Sequence, residues 1–174
     1  MQLQDKYRIA LLSAYAIALH GFERFLPTPI PWLRLGLANI ITLVALCLYG
    51  IRVAMMVTLI RVTLSSLFTG TFLGPSFMLS LGGGITSTLA MGSVMYLAPR
   101  LFSPIGLSLI GALFHNITQL LLAYVLFIQR IGAIILISPF IVLLGVITGT
   151  VNGVIADLLV KNLKKNSEKV QNSS

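Results

Sequence analysis

Six apolar stretches run along the chain, separated by short intervals that are polar or rich in Gly and Pro. They extend from about Arg8 to Phe25, Leu35 to Tyr49, Ala54 to Phe68, Phe77 to Leu97, Ile105 to Ile128 and Ala133 to Val160. A helix crossing the hydrocarbon core needs about 20 mostly apolar residues. Six membrane-spanning helices are therefore predicted, the second short for a full crossing. Between the first two lies Leu26-Pro27-Thr28-Pro29-Ile30-Pro31-Trp32, a rigid connector because each proline fixes φ and turns its predecessor away from helix. Gly50-Ile51-Arg52 predicts a tight turn, Thr69 to Pro75 a loop able to serve as an outer lid, and Pro99 to Pro104 a further turn. The fold class is all-α, a polytopic six-helix bundle forming a single domain over residues 8–160. A short segment, 1–7, precedes it, and a Lys-rich tail, 161–174, follows and reads as disordered.

Composition agrees. Of 174 residues, 57% are hydrophobic and 9% charged, against roughly 25% charged in a soluble domain. That leaves no room for a soluble catalytic domain. The net charge of +8 would suggest nucleic acid in a soluble protein, but its distribution points to a bilayer. With six spans, one side holds Lys6, Arg8, Arg52, Arg100, Lys161, Lys164, Lys165 and Lys169, and the other Arg24, Arg34 and Arg130. Basic residues collect in cytoplasmic loops, so both termini are expected in the cytoplasm. The first stretch has the outline of a signal peptide, yet His20-Gly21-Phe22-Glu23-Arg24 offers no small-residue cleavage site; it is expected to be retained. A single cysteine, Cys47, excludes an internal disulfide, and scarce Asp, Glu and His make a metal site or resident cofactor unexpected.

Polar and ionisable residues inside spans are costly and mark function. Glu23 and Arg34 fall at outer span ends, Asn39 one turn deeper, Arg61 within the third span, and His115, Asn116 and Gln119 in the middle of the fifth. His115 and Gln119 are spaced i, i+4, and Asn116 and Gln119 i, i+3, so each pair adjoins on the helix surface. Together these residues predict a cavity open to the outside. Glu23, the one acidic residue on that side, is expected to pair with Arg61 or Arg34, either as a structural ion pair or beside an anionic ligand held by an arginine. Gly82-Gly83-Gly84 marks either close packing or a helix break with Gly83 lining the cavity. Asp157 and Lys161 predict a surface pair at the end of the last span. Small residues at spacing four let membrane helices approach. Such stripes occur at Ala10, Ala14 and Ala18 and at Gly145, Gly149 and Gly153. They serve either packing within the bundle or docking on another membrane protein, and the alanine face on a terminal span suits docking. No hydrolytic or redox constellation, ATP-binding motif or aspartate-rich diphosphate motif occurs, so an enzyme is not expected.

The strings Leu35-Gly36-Leu37-Ala38-Asn39, Leu64-Ser65-Ser66-Leu67-Phe68-Thr69-Gly70 after Arg61, Leu81-Gly82-Gly83, Phe114-His115-Asn116-Ile117-Thr118-Gln119 and Gly145-Val146-Ile147-Thr148-Gly149 resemble the Gx transporter family. Many of its members are labelled heptaprenyl diphosphate synthase component I. That family is similar to the substrate-binding S-components of energy-coupling-factor (ECF) vitamin transporters. The resemblance implies a multi-pass subunit of the bacterial cytoplasmic membrane that binds a small molecule from outside. It implies docking, through Ala10, Ala14 and Ala18, on a transmembrane T-component beside two ATPases. Other readings stay open: an accessory subunit for polyprenyl diphosphate or quinone metabolism or for extracellular electron transfer, and an ion-coupled secondary carrier.

Overall fold

The computed structural model describes residues 3–23, 39–98 and 101–171. The helices are α1 (Leu3–Glu23), α2 (Asn39–Tyr49), α3 (Ile51–Phe68), α4 (Pro75–Leu97), α5 (Pro104–Ala123), prolonged by one π-helical turn over Tyr124–Ile128, and α6 (Ile131–Gln171). Among the described residues all regular structure is helical. Four segments are long and apolar enough to cross a bilayer: Ile51–Phe68, Pro75–Leu97, Pro104–Phe127 and Ile131–Lys165. Ile9–Leu19 and Asn39–Tyr49 are shorter apolar helices. The chain is a multi-pass membrane protein. The proline connector, Leu26 to Trp32, lies outside the described residues.

Local chemistry sets the helix ends. Gly50 turns the chain from α2 into α3 at φ 84°, a left-handed conformation that a side chain would strain. Pro75 and Pro104 open α4 and α5, where their missing N–H groups would have had no helical acceptor. The Ser103 hydroxyl caps α5 by accepting from the Gly106 N–H at 3.3 Å. In α6, Pro139 cannot donate to the Ile135 carbonyl, and the Ser138 hydroxyl donates to it instead, at 3.0 Å.

The structure corrects the tail. Where the sequence reads as disordered from Lys161, α6 continues through Gln171. No Gly or Pro interrupts Lys161 to Gln171, and the segment inherits a nucleated helix, so it only has to propagate. The Asp157–Lys161 pair staples the junction at 2.6 Å. The triple glycine, for its part, does not break α4.

The interior is arranged by polarity along the bundle. Ile9 of α1, Leu46 of α2, Ala54 and Val57 of α3, Met91 of α4, Leu107 of α5, and Ala156 and Val160 of α6 form one apolar cluster. These residues come from the start of α1, α3 and α5 and the later part of α2, α4 and α6, so this part of the cluster sits at the end where α6 runs out; Ala16, Ile40 and Ile41 extend it along α1 and α2. Toward the opposite end many buried groups are polar, namely Arg61, Ser65, Ser66, Ser80, His115, Asn116 and Gln119, beside the apolar Val62, Phe77, Leu79 and Ile141. The outside is apolar, with Leu136 81%, Leu143 58% and Leu158 57% exposed, as lipid-facing helices require.

The glycine stripe of α6 packs inside the bundle. A Cβ at Gly153 would stand 2.6 Å from the Ile105 backbone Cα, one at Gly149 3.0 Å from the Ala112 Cβ, and one at Gly145 would overlap the Asn116 side chain. The alanine stripe of α1 does the opposite. Ala10, Ala14 and Ala18 are exposed together with Tyr7, Leu11 and Tyr15, while Ile9, Ser13 and Ala16 face inward.

Candidate functional site

Arg61 is only 4% exposed, inside a segment that crosses the membrane. Its Nη2 donates to the Asn39 Oδ1 at 3.0 Å, which joins α3 to the first residue of α2. A guanidinium at this depth is costly to keep. The Asn39 amide orients one nitrogen of the guanidinium.

Helix α4 makes room for the neighbours of Arg61 by having no side chains there. A Cβ at Gly84 would lie 2.9 Å from the Thr58 Cγ2 and 3.8 Å from the Arg61 Nη2; a Cβ at Gly83 would lie 2.7 Å from the His115 Nδ1. Consecutive helical residues point about 100° apart, from the 3.6-residue turn. Gly84 therefore faces the arginine of α3, while Gly83 faces the imidazole of α5. Leu122 and Thr118 of α5 fill the space beside Gly82. The triple glycine is a close-packing device, and its middle residue is the slot for His115.

Below Arg61 lies a rung of hydroxyls. Thr58 Oγ1 is 3.1 Å from Thr42 Oγ1 and 3.1 Å from Thr88 Oγ1, and Thr88 donates to the Gly84 carbonyl at 2.8 Å. Each hydroxyl has one proton. Because the Thr88 proton goes to Gly84, Thr58 must donate to Thr88 and Thr42 to Thr58. The chain has one direction and ties α2, α3 and α4 together one turn from the Asn39–Arg61 contact. Thr58→Val would leave the Thr42 proton without its acceptor and Thr88 without its donor. It is expected to lower stability by about 1 kcal/mol, since hydrogen bonds between membrane helices average ~0.6 and reach ~1.7 kcal/mol. Thr58→Ser is expected to restore it. Thermal unfolding in detergent checks both.

The predicted residues are thus only partly brought together. Arg61, Asn39, Gly83 and His115 gather around α4. Gln119 is buried at 8% exposure one turn along from His115. Asn116 is turned to α6, where its Nδ2 donates to the Ile141 carbonyl at 3.1 Å against Gly145. The Glu23 side chain and Arg34 lie outside the described residues, as does the expected ion pair between Glu23 and Arg61 or Arg34. Sequence reasoning missed the threonine rung and Ser65. The latter is i+4 from Arg61, 4% exposed, and its hydroxyl makes no hydrogen bond among the described residues. The spacing from Arg61 was the available signal for Thr58 and Ser65. It is weak, because helical Ser and Thr commonly bond their own backbone.

The sequence model of the family described as heptaprenyl diphosphate synthase component I matches residues 12–159. The chain belongs to this family. The match takes in every part of the site described above. The fold has a solved counterpart in the S component of a bacterial ECF transporter, at a TM-score of 0.75 and 21% identity, covering 95% of this chain and 98% of that one. At that identity the likeness is one of fold, and the six-helix architecture of the family member is that of an S component. No curated protein matches the sequence.

Proposed function

We propose that the protein is the substrate-binding membrane subunit of an uptake transporter of the ECF type, taking up a small polar or anionic solute from outside. The observation that carries this reading is Arg61, a buried guanidinium held by Asn39 within an S-component architecture. An anion with two or more oxygens matches the planar fork of an arginine. His115, Gln119 and Ser65 supply further polar groups in the same half of the bundle, and Glu23 and Arg34 remain candidates for its rim. The solute enters from the polar half, opposite the apolar cluster. Both termini are then cytoplasmic, in keeping with the excess of basic residues at the cluster end.

The energising partner is a T-component with ATPase subunits. The surface proposed to meet it is the α1 face of Ala10, Ala14 and Ala18, where small side chains beside Tyr7 and Tyr15 allow another helix to come close. Ala14→Trp is expected to abolish co-purification of the T-component while solute retention stays within about twofold. Retained assembly would remove the alanine face from the interface.

The test of the whole reading is native mass spectrometry of the tagged protein, extracted gently from its own membrane. A complex with a T-component and ATPases, carrying a small solute, is the expected outcome. The family description favours a second reading, an accessory role beside a prenyl diphosphate synthase. Recovery of that enzyme, with no ATPase, would replace the transporter by the accessory subunit.

A further inference from the structure

The C-terminal end of α6 has a use that substrate binding does not require. The helix is continuous through Pro139, and its membrane-crossing segment is Ile131–Lys165. From Ile131 to Val160 its one charged residue is Asp157, and this run rises about 44 Å at ~1.5 Å per residue, more than the ~30 Å hydrocarbon core needs. The last turns keep apolar side chains outward, with Leu158 57% and Leu163 47% exposed. Lysines begin where that apolar run ends. Lys161, Lys164 and Lys165 are all exposed, and their i, i+3, i+4 spacing puts them on one face of the helix. Lys161, its side chain 71% exposed, reaches back one turn to Asp157 at 2.6 Å. Val160, one residue before Lys161, packs in the same apolar cluster as Leu46 of α2, with Cys47 against it. The lysine end of α6 therefore shares one end of the bundle with the α2–α3 turn, which carries the exposed Arg52. The acidic residues in this part of α6 are Asp157 and Glu168, against Lys161, Lys164, Lys165 and Lys169.

We infer that this end of α6, with Arg52, is a binding surface for the headgroups of anionic phospholipids in the adjoining leaflet. Three observations carry it. The cations start directly at the end of the apolar run, with no spacer. From Lys161 to Lys165 the helix rises only about 6 Å, less than the ~8 Å over which physiological salt screens a charge. The exposed Leu163 lies among the lysines, so the segment presents apolar and cationic groups together, as the boundary between acyl chains and headgroups demands. A basic cluster directly beside a membrane span is attracted to anionic lipid by the same electrostatics. An acidic soluble protein would meet the charge but not the leucine.

The full-length protein in detergent is mixed with equimolar phosphatidylglycerol and phosphatidylcholine, and retained lipids are counted by native mass spectrometry. The wild type is expected to retain phosphatidylglycerol several-fold over phosphatidylcholine, with the preference falling as salt is raised. Lys164→Gln/Lys165→Gln is expected to bring the ratio toward parity at an unchanged thermal midpoint. Arg130→Gln, at the opposite end of the helix, is expected to leave it unchanged. Parity in the wild type overturns the proposal, as does a preference that survives the double substitution. Loss of a co-purifying soluble protein with lipid retention intact would reassign the surface to that protein.

Discussion

Arg61→Ala is expected to reduce solute retention by about 100-fold or more while the protein still elutes as one monodisperse species. The two halves of that result follow from different terms. A hydrogen-bonded buried cation that meets an anion contributes several kcal/mol, and its removal costs about 2–5 kcal/mol of binding, where ~1.4 kcal/mol is tenfold. The fold loses the bond to Asn39 and the other contacts of the side chain, but it is also relieved of a charge whose insertion costs about 2.5–3.5 kcal/mol. The two effects on stability oppose each other. Arg61→Lys keeps the charge without the planar fork and is expected to recover only a small part of the binding. Native mass spectrometry reports retention, and size-exclusion chromatography reports the state of the fold. Loss of the monodisperse peak would make Arg61 a structural residue, and unchanged retention would take it out of the site.

Gly153→Leu should be the most damaging single change in the α5–α6 interface. A Cβ there meets the Ile105 Cα at 2.6 Å and the Ser108 Cβ at 3.0 Å. Backbone cannot swing aside as a flexible side chain can, so the two helices must separate. Separation also loosens Gly149 against Ala112 and the Asn116 bond to the Ile141 carbonyl. The expected loss is at or above the upper end of the about 1–3 kcal/mol typical of overpacking. Gly149→Ala should cost less, because it adds a single methyl whose nearest neighbour, the Ala112 Cβ, stands farther off at 3.0 Å. Gly132→Ala, with nothing within 4 Å, should cost nothing. Thermal unfolding of the three variants in one detergent ranks them. Equal midpoints for Gly153→Leu and Gly132→Ala would show that the seam yields.

Much of the architecture was legible because lipid imposes a coarse rule. Long apolar runs must be helices, and Gly50, Pro75 and Pro104 mark their ends through conformational constraints that act locally. The tail was misread because its polar composition resembles that of disordered segments, whereas its helix is propagated from α6. Within the site, the burial of Arg61, His115 and Gln119 follows from the cost of exposing them to lipid. Their partners do not follow. Helical phase places Asn116 beside Gln119 but does not say which neighbouring helix it meets, and Gly145, which receives it, is 29 residues away. A count of acidic residues also says nothing of amides, and Asn39 is one that meets Arg61. Threonines are nearly silent in a sequence, because only the arrangement of three helices turns Thr42, Thr58 and Thr88 into a chain.

The uneven distribution of the interior has a mechanical consequence. Around Leu46, Val57 and Met91 contact is largely between close-fitting apolar side chains, and an opening there forfeits packing that water does not replace. Around Arg61 and His115 the helices are joined in part by amides and hydroxyls, which can exchange one partner for water or a solute at little net cost. Compliance is therefore graded along the molecule's long axis. Amide hydrogens near the stiff end should exchange only through global unfolding, and those near the soft end through small local openings. A bundle built this way breathes from one mouth, so a solute can enter without unseating the helices at the far end.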